Sequence, residues 1–242
     1  MIAILKKELW SYFGNWSAWI VLIAFSIISA LFLFFFENNF NVFDISTASL
    51  HSFFVLVPWI LMFIIPAFSM KSIAEERQND TLAWLFSQPI RVVDIVIGKF
   101  LSVWVMGVAC LLPSLVYLYT LYQLAIPQGN LDLGMTLGSY LGTIVLIAGF
   151  SALGVLTSSL AKNQVIAYLF ALFLNFIFWM GLDQIASYKL MGGLDFIIQN
   201  LGFQYHFSGF ARGLVSGQDI FYFTFVSLLC LFLSTLVLEK KR

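Results

Sequence analysis

Charge is scarce in this sequence, and most of what the first half has lies between Lys71 and Lys99: Lys71, Glu75, Glu76, Arg77, Asp80, Arg91, Asp94 and Lys99. Elsewhere the residue types that commonly do chemistry stand alone. No G-x-x-x-x-G-K-[ST] run occurs. Gly98-Lys99 lacks the upstream glycine and the following Ser or Thr, so the chain is not expected to cradle a nucleotide phosphate. H-E-x-x-H is absent, and the two histidines, His51 and His206, are far apart and would underligate a metal. No Ser-His-Asp arrangement can be argued. Cys110 and Cys230 each sit inside an apolar run and read as packing residues. Asn175 and Gln123 are the notable polar residues of the apolar segments, with interhelical hydrogen bonding as the expected role. The expectation is a protein with no catalytic residue, metal or cofactor of its own.

The charged stretch encloses a short helix candidate. Asn79 or Asp80 is the expected N-cap, because a short oxygen-bearing side chain accepts bonds from the first free amides. Thr81, Leu82, Ala83, Trp84, Leu85 and Phe86 follow, then Ser87, and Pro89 stops the helix at or before Gln88. About eight residues give a rod of roughly 12 Å. It is too short to cross a bilayer and too apolar to be left in water, so it needs a partner surface.

The elements that position this stretch follow from composition. The chain has 242 residues, 61% hydrophobic and 10% charged, where a soluble domain has about 25% charged residues. Bilayer solvent explains that difference. The formal net charge is zero, and no nucleic-acid partner is expected. Six apolar runs are long enough to cross, at about 16–36, 53–70, 98–122, 138–160, 165–182 and 220–238. Kinks are expected at Pro58, Pro66 and Pro113. Residues 1–14 carry Ile2, Leu5, Leu9 and Phe13 at helical spacing with Lys6, Lys7 and Glu8 between them. They read as a helix in the headgroup plane, and the long apolar run that follows Lys6 and Lys7 reads as a retained membrane anchor rather than a cleaved signal.

Orientation rests on lysine and arginine. Lys6, Lys7, Lys71, Arg77, Arg91, Lys99, Lys162, Lys240, Lys241 and Arg242 fall on one side, and only Lys189 and Arg212 on the other. This puts both termini and residues 71–97 in the cytoplasm. Across the membrane, 183–219 is long, aromatic and broken by Gly192-Gly193, Gly202, Gly209 and Gly213. It reads as short helices or a re-entrant element on the outer face. The fourth run carries Gly138, Gly142 and Gly149, whose spacing lets another helix come close, from this chain or from a second copy.

The stretch Glu75-Glu76-Arg77-Gln78-Asn79-Asp80-Thr81-Leu82-Ala83-Trp84-Leu85-Phe86-Ser87-Gln88-Pro89-Ile90, followed by Gly98-Lys99-Phe100, resembles the cytoplasmic signature of ABC-2 type permeases. Asp80 stands where that family usually has glycine. The segment His206-Phe207-Ser208-Gly209-Phe210-Ala211-Arg212-Gly213, with Asp219 and Tyr222, resembles the branch that includes the gliding-motility permease and the permease of copper-enzyme maturation, the former more closely. The resemblance spans nearly the whole chain. It implies an all-α integral membrane protein of six transmembrane helices forming a single domain over 1–242. It also implies an elbow helix over 1–14, a coupling helix within 71–97 and a re-entrant outer pair within 183–219. The implied assembly is two permease subunits, identical or different, with separate ATP-binding subunits in the bacterial inner membrane, and possibly a further envelope or motility protein. On this resemblance Leu82, Leu85 and Phe86 are apolar anchors at the ATPase interface, with Glu75, Glu76, Arg77, Thr81, Ser87 and Pro89 around them. His206, Phe207, Phe210, Arg212 and Gly213 belong to the outer element. The competing readings are a permease for lipid or polysaccharide export, or a membrane scaffold that transports nothing.

Overall fold

The computed structural model describes residues 1–45, 49–125, 127–188, 192 and 194–240. Lys189, Gly193, Lys241 and Arg242, which enter the sequence reading, lie outside them. The described residues are helical throughout. Helix α1 (Ile2–Gly14) precedes α2 (Trp16–Ala30), which continues as a π-helical turn, Leu31–Phe35. Next come α3 (Val42–Ile45), α4 (His51–Ser69), α5 (Ala74–Gln78) and α6 (Leu82–Ser87). Helices α7 (Val92–Leu111) and α8 (Ser114–Leu124) flank Pro113, where the third run is interrupted. Pro58 and Pro66, by contrast, lie inside α4. Helix α9 (Leu133–Leu160) is followed by α10 (Gln164–Phe176), a second π-helical turn (Ile177–Gly181) and α11 (Leu182–Ser187). The outer region forms α12 (Leu194–Asn200) and α13 (Phe203–Phe210), and α14 (Gly217–Glu239) closes the bundle.

Six of these segments are long and apolar enough to cross a membrane: Trp16–Phe35, His51–Gln78, Val92–Leu124, Leu133–Leu160, Gln164–Ser187 and Gly217–Glu239. Three begin at a side-chain cap that satisfies a free amide. Asp132 accepts from the Met135 amide at 2.9 Å, Asn163 from Ile166 at 2.9 Å, and Ser216 from Gln218 at 3.2 Å.

Helix α9 is the axis of the fold, packed against α4, α7, α10, α13 and α14. In its most apolar stretch 72% of residues are buried, against 22% in the first and fifth spans. Its glycines meet residues of this chain. A Cβ on Gly142 would lie 2.1 Å from Phe210 Cβ, and one on Gly138 2.6 Å from the Gly213 carbonyl oxygen. Gly149 faces Phe203 and Phe223. Small residues on α9 thus let α13 and α14 close onto it.

Candidate functional site

The segment 70–99 is built around contacts made far away in sequence. Helix α1 supplies a buried stripe at four-residue spacing, Ile4, Glu8 and Tyr12, while Ile2, Lys6, Trp10 and Phe13 face outward. Gly98 of α7 lets α1 approach, since a Cβ there would lie 3.0 Å from Ile4 Cβ. The next residue, Lys99, is 1% exposed. Its ammonium lies 2.9 Å from Glu76 Oε2 and 3.2 Å from Glu8 Oε1, and it donates to the Ser72 carbonyl. Glu8 and the Ser72 carbonyl accept hydrogen bonds from the ammonium, and Glu76 Oε2 neutralises it as an ion pair. Lys7 adds a contact to Glu76 Oε1 at 3.2 Å, so two cations and two carboxylates join α1, α5 and α7. Tyr12 donates its hydroxyl to the Phe68 carbonyl at 2.8 Å. Burial, then the nearby Glu8 and Glu75 carboxylates, push its phenol well above the ordinary value.

Helix α5 and the end of α9 cap each other. Ser158 Oγ accepts from the Ile73 and Ala74 amides at 3.1 and 3.0 Å. Arg77 in return donates to the Ser159 carbonyl at 2.8 Å and to the Ala161 carbonyl, completing α9's last turn.

The short helix begins with Thr81 at its N-cap, where no side chain caps it; the Thr81 hydroxyl donates instead to the Glu76 carbonyl at 3.2 Å. The expected cap at Asn79 or Asp80 is therefore not made. Asp80 has φ of 56°, the left-handed conformation that reverses the chain between α5 and α6. Glycine is the usual occupant of such a position, and Asp is among the few other residues that tolerate it.

The apolar anchors divide differently from the sequence reading. Leu82 and Leu85 are 8% and 7% exposed, because they pack into this chain: Leu82 joins the main core, and Leu85 meets Ile4 and Ile95. Phe86 is half-buried against both clusters. The free face of α6 carries Thr81, Ala83, Trp84 and Ser87, with Pro89 just beyond it, and Trp84 is 64% exposed. Glu76 and Arg77 likewise spend their charge inside the chain. The sequence reading missed the Lys99–Glu8 pairing because it counted Lys99 as a loop charge. The signal for it was a lysine inside an apolar run and a lone glutamate on the apolar stripe of α1.

At the opposite end of the bundle, His206 joins three elements. Its Nδ1 lies 2.6 Å from Asp219 Oδ1 and its Nε2 2.8 Å from the Asn200 carbonyl oxygen. The ring stacks on Tyr222, with centroids 3.9 Å apart. Phe207 and Phe210 are buried, while Arg212 is exposed and donates to the Ser208 carbonyl at 3.1 Å. Gly213 has φ of 78° and sits against Met135 of α9. His51 binds the Ala211 carbonyl separately, at 2.9 Å.

Six membrane-length helices among the described residues, one of them buried among the others, with a short amphipathic helix between the second and third, define a multi-pass membrane protein. Residues 37–238 match the model of the ABC-2 family transporter proteins, and the chain belongs to that family. No curated protein gives a significant match to it. Family membership makes it a transporter membrane subunit and implies an ATP-binding partner subunit.

Proposed function

We propose that this chain is the permease subunit of an ATP-driven transporter of the bacterial inner membrane, with both termini and α6 in the cytoplasm. It moves or extrudes its substrate with ATP hydrolysed by a separate subunit, which docks on α6. The observation that carries this reading is Trp84. It is a large aromatic residue, 64% exposed, on a six-residue helix whose other large side chains, Leu82, Leu85 and Phe86, pack into the chain itself. Buried aromatic anchors of this kind dominate protein interfaces. Helix α6 rests through Leu85 on Ile4 of α1 and Ile95 of α7, so a push on Trp84 would pass to the N-terminal helix and the third span. Helix α1 is the elbow helix on this reading, and the residues 183–219 form the outer re-entrant element. The sparsely buried first and fifth spans are the faces offered to lipid and to a second permease subunit, identical or not. The resemblance of residues 206–213 supports gliding motility as the process served, alone or with a further envelope protein.

The test is co-purification from native membranes with Trp84→Asp as the variant. An ATP-binding subunit accompanies the parent, and Trp84→Asp loses it while remaining folded in the membrane. An unchanged complex and unchanged function in Trp84→Asp would return the chain to the scaffold reading. Leu82→Asp and Leu85→Asp do not serve here, because both side chains hold the chain's own core.

A further inference from the structure

Helix α10 and its π-helical extension bury one strict stripe: Ala167, Ala171, Asn175 and Trp179, each four residues from the last. Two alanines allow close packing, and the third position is an amide. Asn175 is 0% exposed, and neither its oxygen nor its nitrogen has a partner among the described residues. This corrects the expectation of an interhelical hydrogen bond. One turn on, Trp179 is 3% exposed and its indole N–H is also unpartnered. The indole is walled by Trp59 of α4 and Phe150 of α9, at centroid distances of 6.4 and 6.3 Å. Ser151, next to Phe150, is 0% exposed with an unpartnered hydroxyl.

Helix α4 adds an acceptor at the matching depth. Just past the end of α4, Met70 and Ala74 cluster with Ala167 near the start of α10, while Trp59 within α4 meets Trp179 past the end of α10, so α4 and α10 run antiparallel. One turn back from Trp179 to Asn175 therefore corresponds to one turn on from Trp59, at about Met62. Pro66 has no N–H to give the Met62 carbonyl four residues before it.

A buried unpartnered polar group costs about 1–3 kcal/mol, and folded proteins resolve such groups with ordered water that makes about three hydrogen bonds. In a membrane span, water also re-satisfies carbonyls freed by proline. We propose that Asn175, Trp179 and Ser151, together with the Met62 carbonyl, form an intramembrane site that binds water between the second, fourth and fifth spans. The site is enclosed, so its occupant is water rather than a polar group of the permeant. The π-helical turn begins two residues past Asn175, at Ile177. Bound water next to that turn gives its backbone a partner as the hydrogen-bond register changes. The proposal stands independently of the transport reading, because it requires only that these helices span the membrane.

The experiment is radiolytic hydroxyl-radical labelling of the full chain in lipid nanodiscs, read by mass spectrometry. Radicals made from bound water mark the side chains beside it. Trp179 is labelled, while Phe25 and Phe223, equally buried and away from this stripe, are not. In Asn175→Leu, Trp179 labelling falls by about tenfold and the melting temperature drops, because the remaining polar groups lose their shared partner. Ser151→Ala, which removes one oxygen, gives the same direction should Asn175→Leu fail to accumulate. Trp179 as protected as Phe25 in the parent, labelling unchanged in the variants, or a higher melting temperature in Asn175→Leu would each overturn the proposal.

Discussion

The Lys99 ammonium lies 2.9 Å from Glu76 Oε2, although the lysine belongs to the third membrane-spanning helix and the glutamate to the polar loop before it. With Glu8 at 3.2 Å, this lysine ties the first helix of the chain to the segment that carries Trp84.

Lys99→Met leaves Glu8 and Glu76 facing each other in a site that is almost dry. Removing one partner of a buried pair costs about 3–5 kcal/mol, so the variant melts far below the parent in nanodiscs. Lys99→Met combined with Glu8→Gln and Glu76→Gln recovers much of the loss, since no buried charge is then left unpaired and Lys7, which loses its carboxylate partners, is exposed to solvent. A triple variant no more stable than Lys99→Met would show that the cluster acts through shape rather than charge.

Asp80→Gly is expected to stabilise the loop by roughly 0.5–1 kcal/mol, and Asp80→Val to destabilise it by more, because a β-branched residue disfavours positive φ. Protease susceptibility of residues 78–90 reports both. Equal susceptibility of the two variants would mean that the turn relaxes out of the left-handed conformation.

Tyr12 sets an alkaline limit. Its phenol is pushed above the ordinary value of 10.0, so the folded state keeps the proton while the unfolded chain gives it up. Its contribution is complete below about pH 10 and is lost as the pH rises further. Tyr12→Phe loses the bond to Phe68, worth about 1 kcal/mol, and flattens stability against pH above 10. Melting temperatures from pH 8 to 11 compare the two. An equal slope would assign the alkaline loss to another group.

Gly142→Ala places a methyl group 2.1 Å from Phe210 Cβ, so α13 must move away from α9. Overpacking of this kind costs about 1–3 kcal/mol. Gly14, which has nothing near its missing Cβ, serves as the control for glycine replacement. Matching losses at the two positions would remove the close approach as the cause.

The six spans were legible because bilayer thickness imposes a run of apolar residues that composition alone reveals. Hydropathy does not say what a helix faces, and that is where the reading diverged. Leu82 and Leu85 were assigned to a partner because a short apolar helix in water must be covered; the cover is Ile4, Ile95 and the chain's own core. Lys99 was taken for a loop charge because a lysine in a membrane helix is costly, and its two carboxylate partners lie 91 and 23 positions away. Asp80 was the reverse case. A residue standing where glycine is usual pointed to the one described non-glycine position with positive φ. Asn175 was noticed for its polarity, but only the packed stripe from Ala167 to Trp179 shows that its amide has no partner in the chain.

The mutual capping of α5 and α9 also fixes an order of events. Ile73 and Ala74 wait for Ser158, and the last carbonyls of α9 wait for Arg77. A ribosome making this chain finishes residues 72–78 long before the hydroxyl that completes them exists. The α5 cap therefore stays open through the insertion of the second and third spans, and closes only when the fourth is in place. Helix α6 does not wait for that step, because Leu85 rests on Ile4 and Ile95, both made before the fourth span.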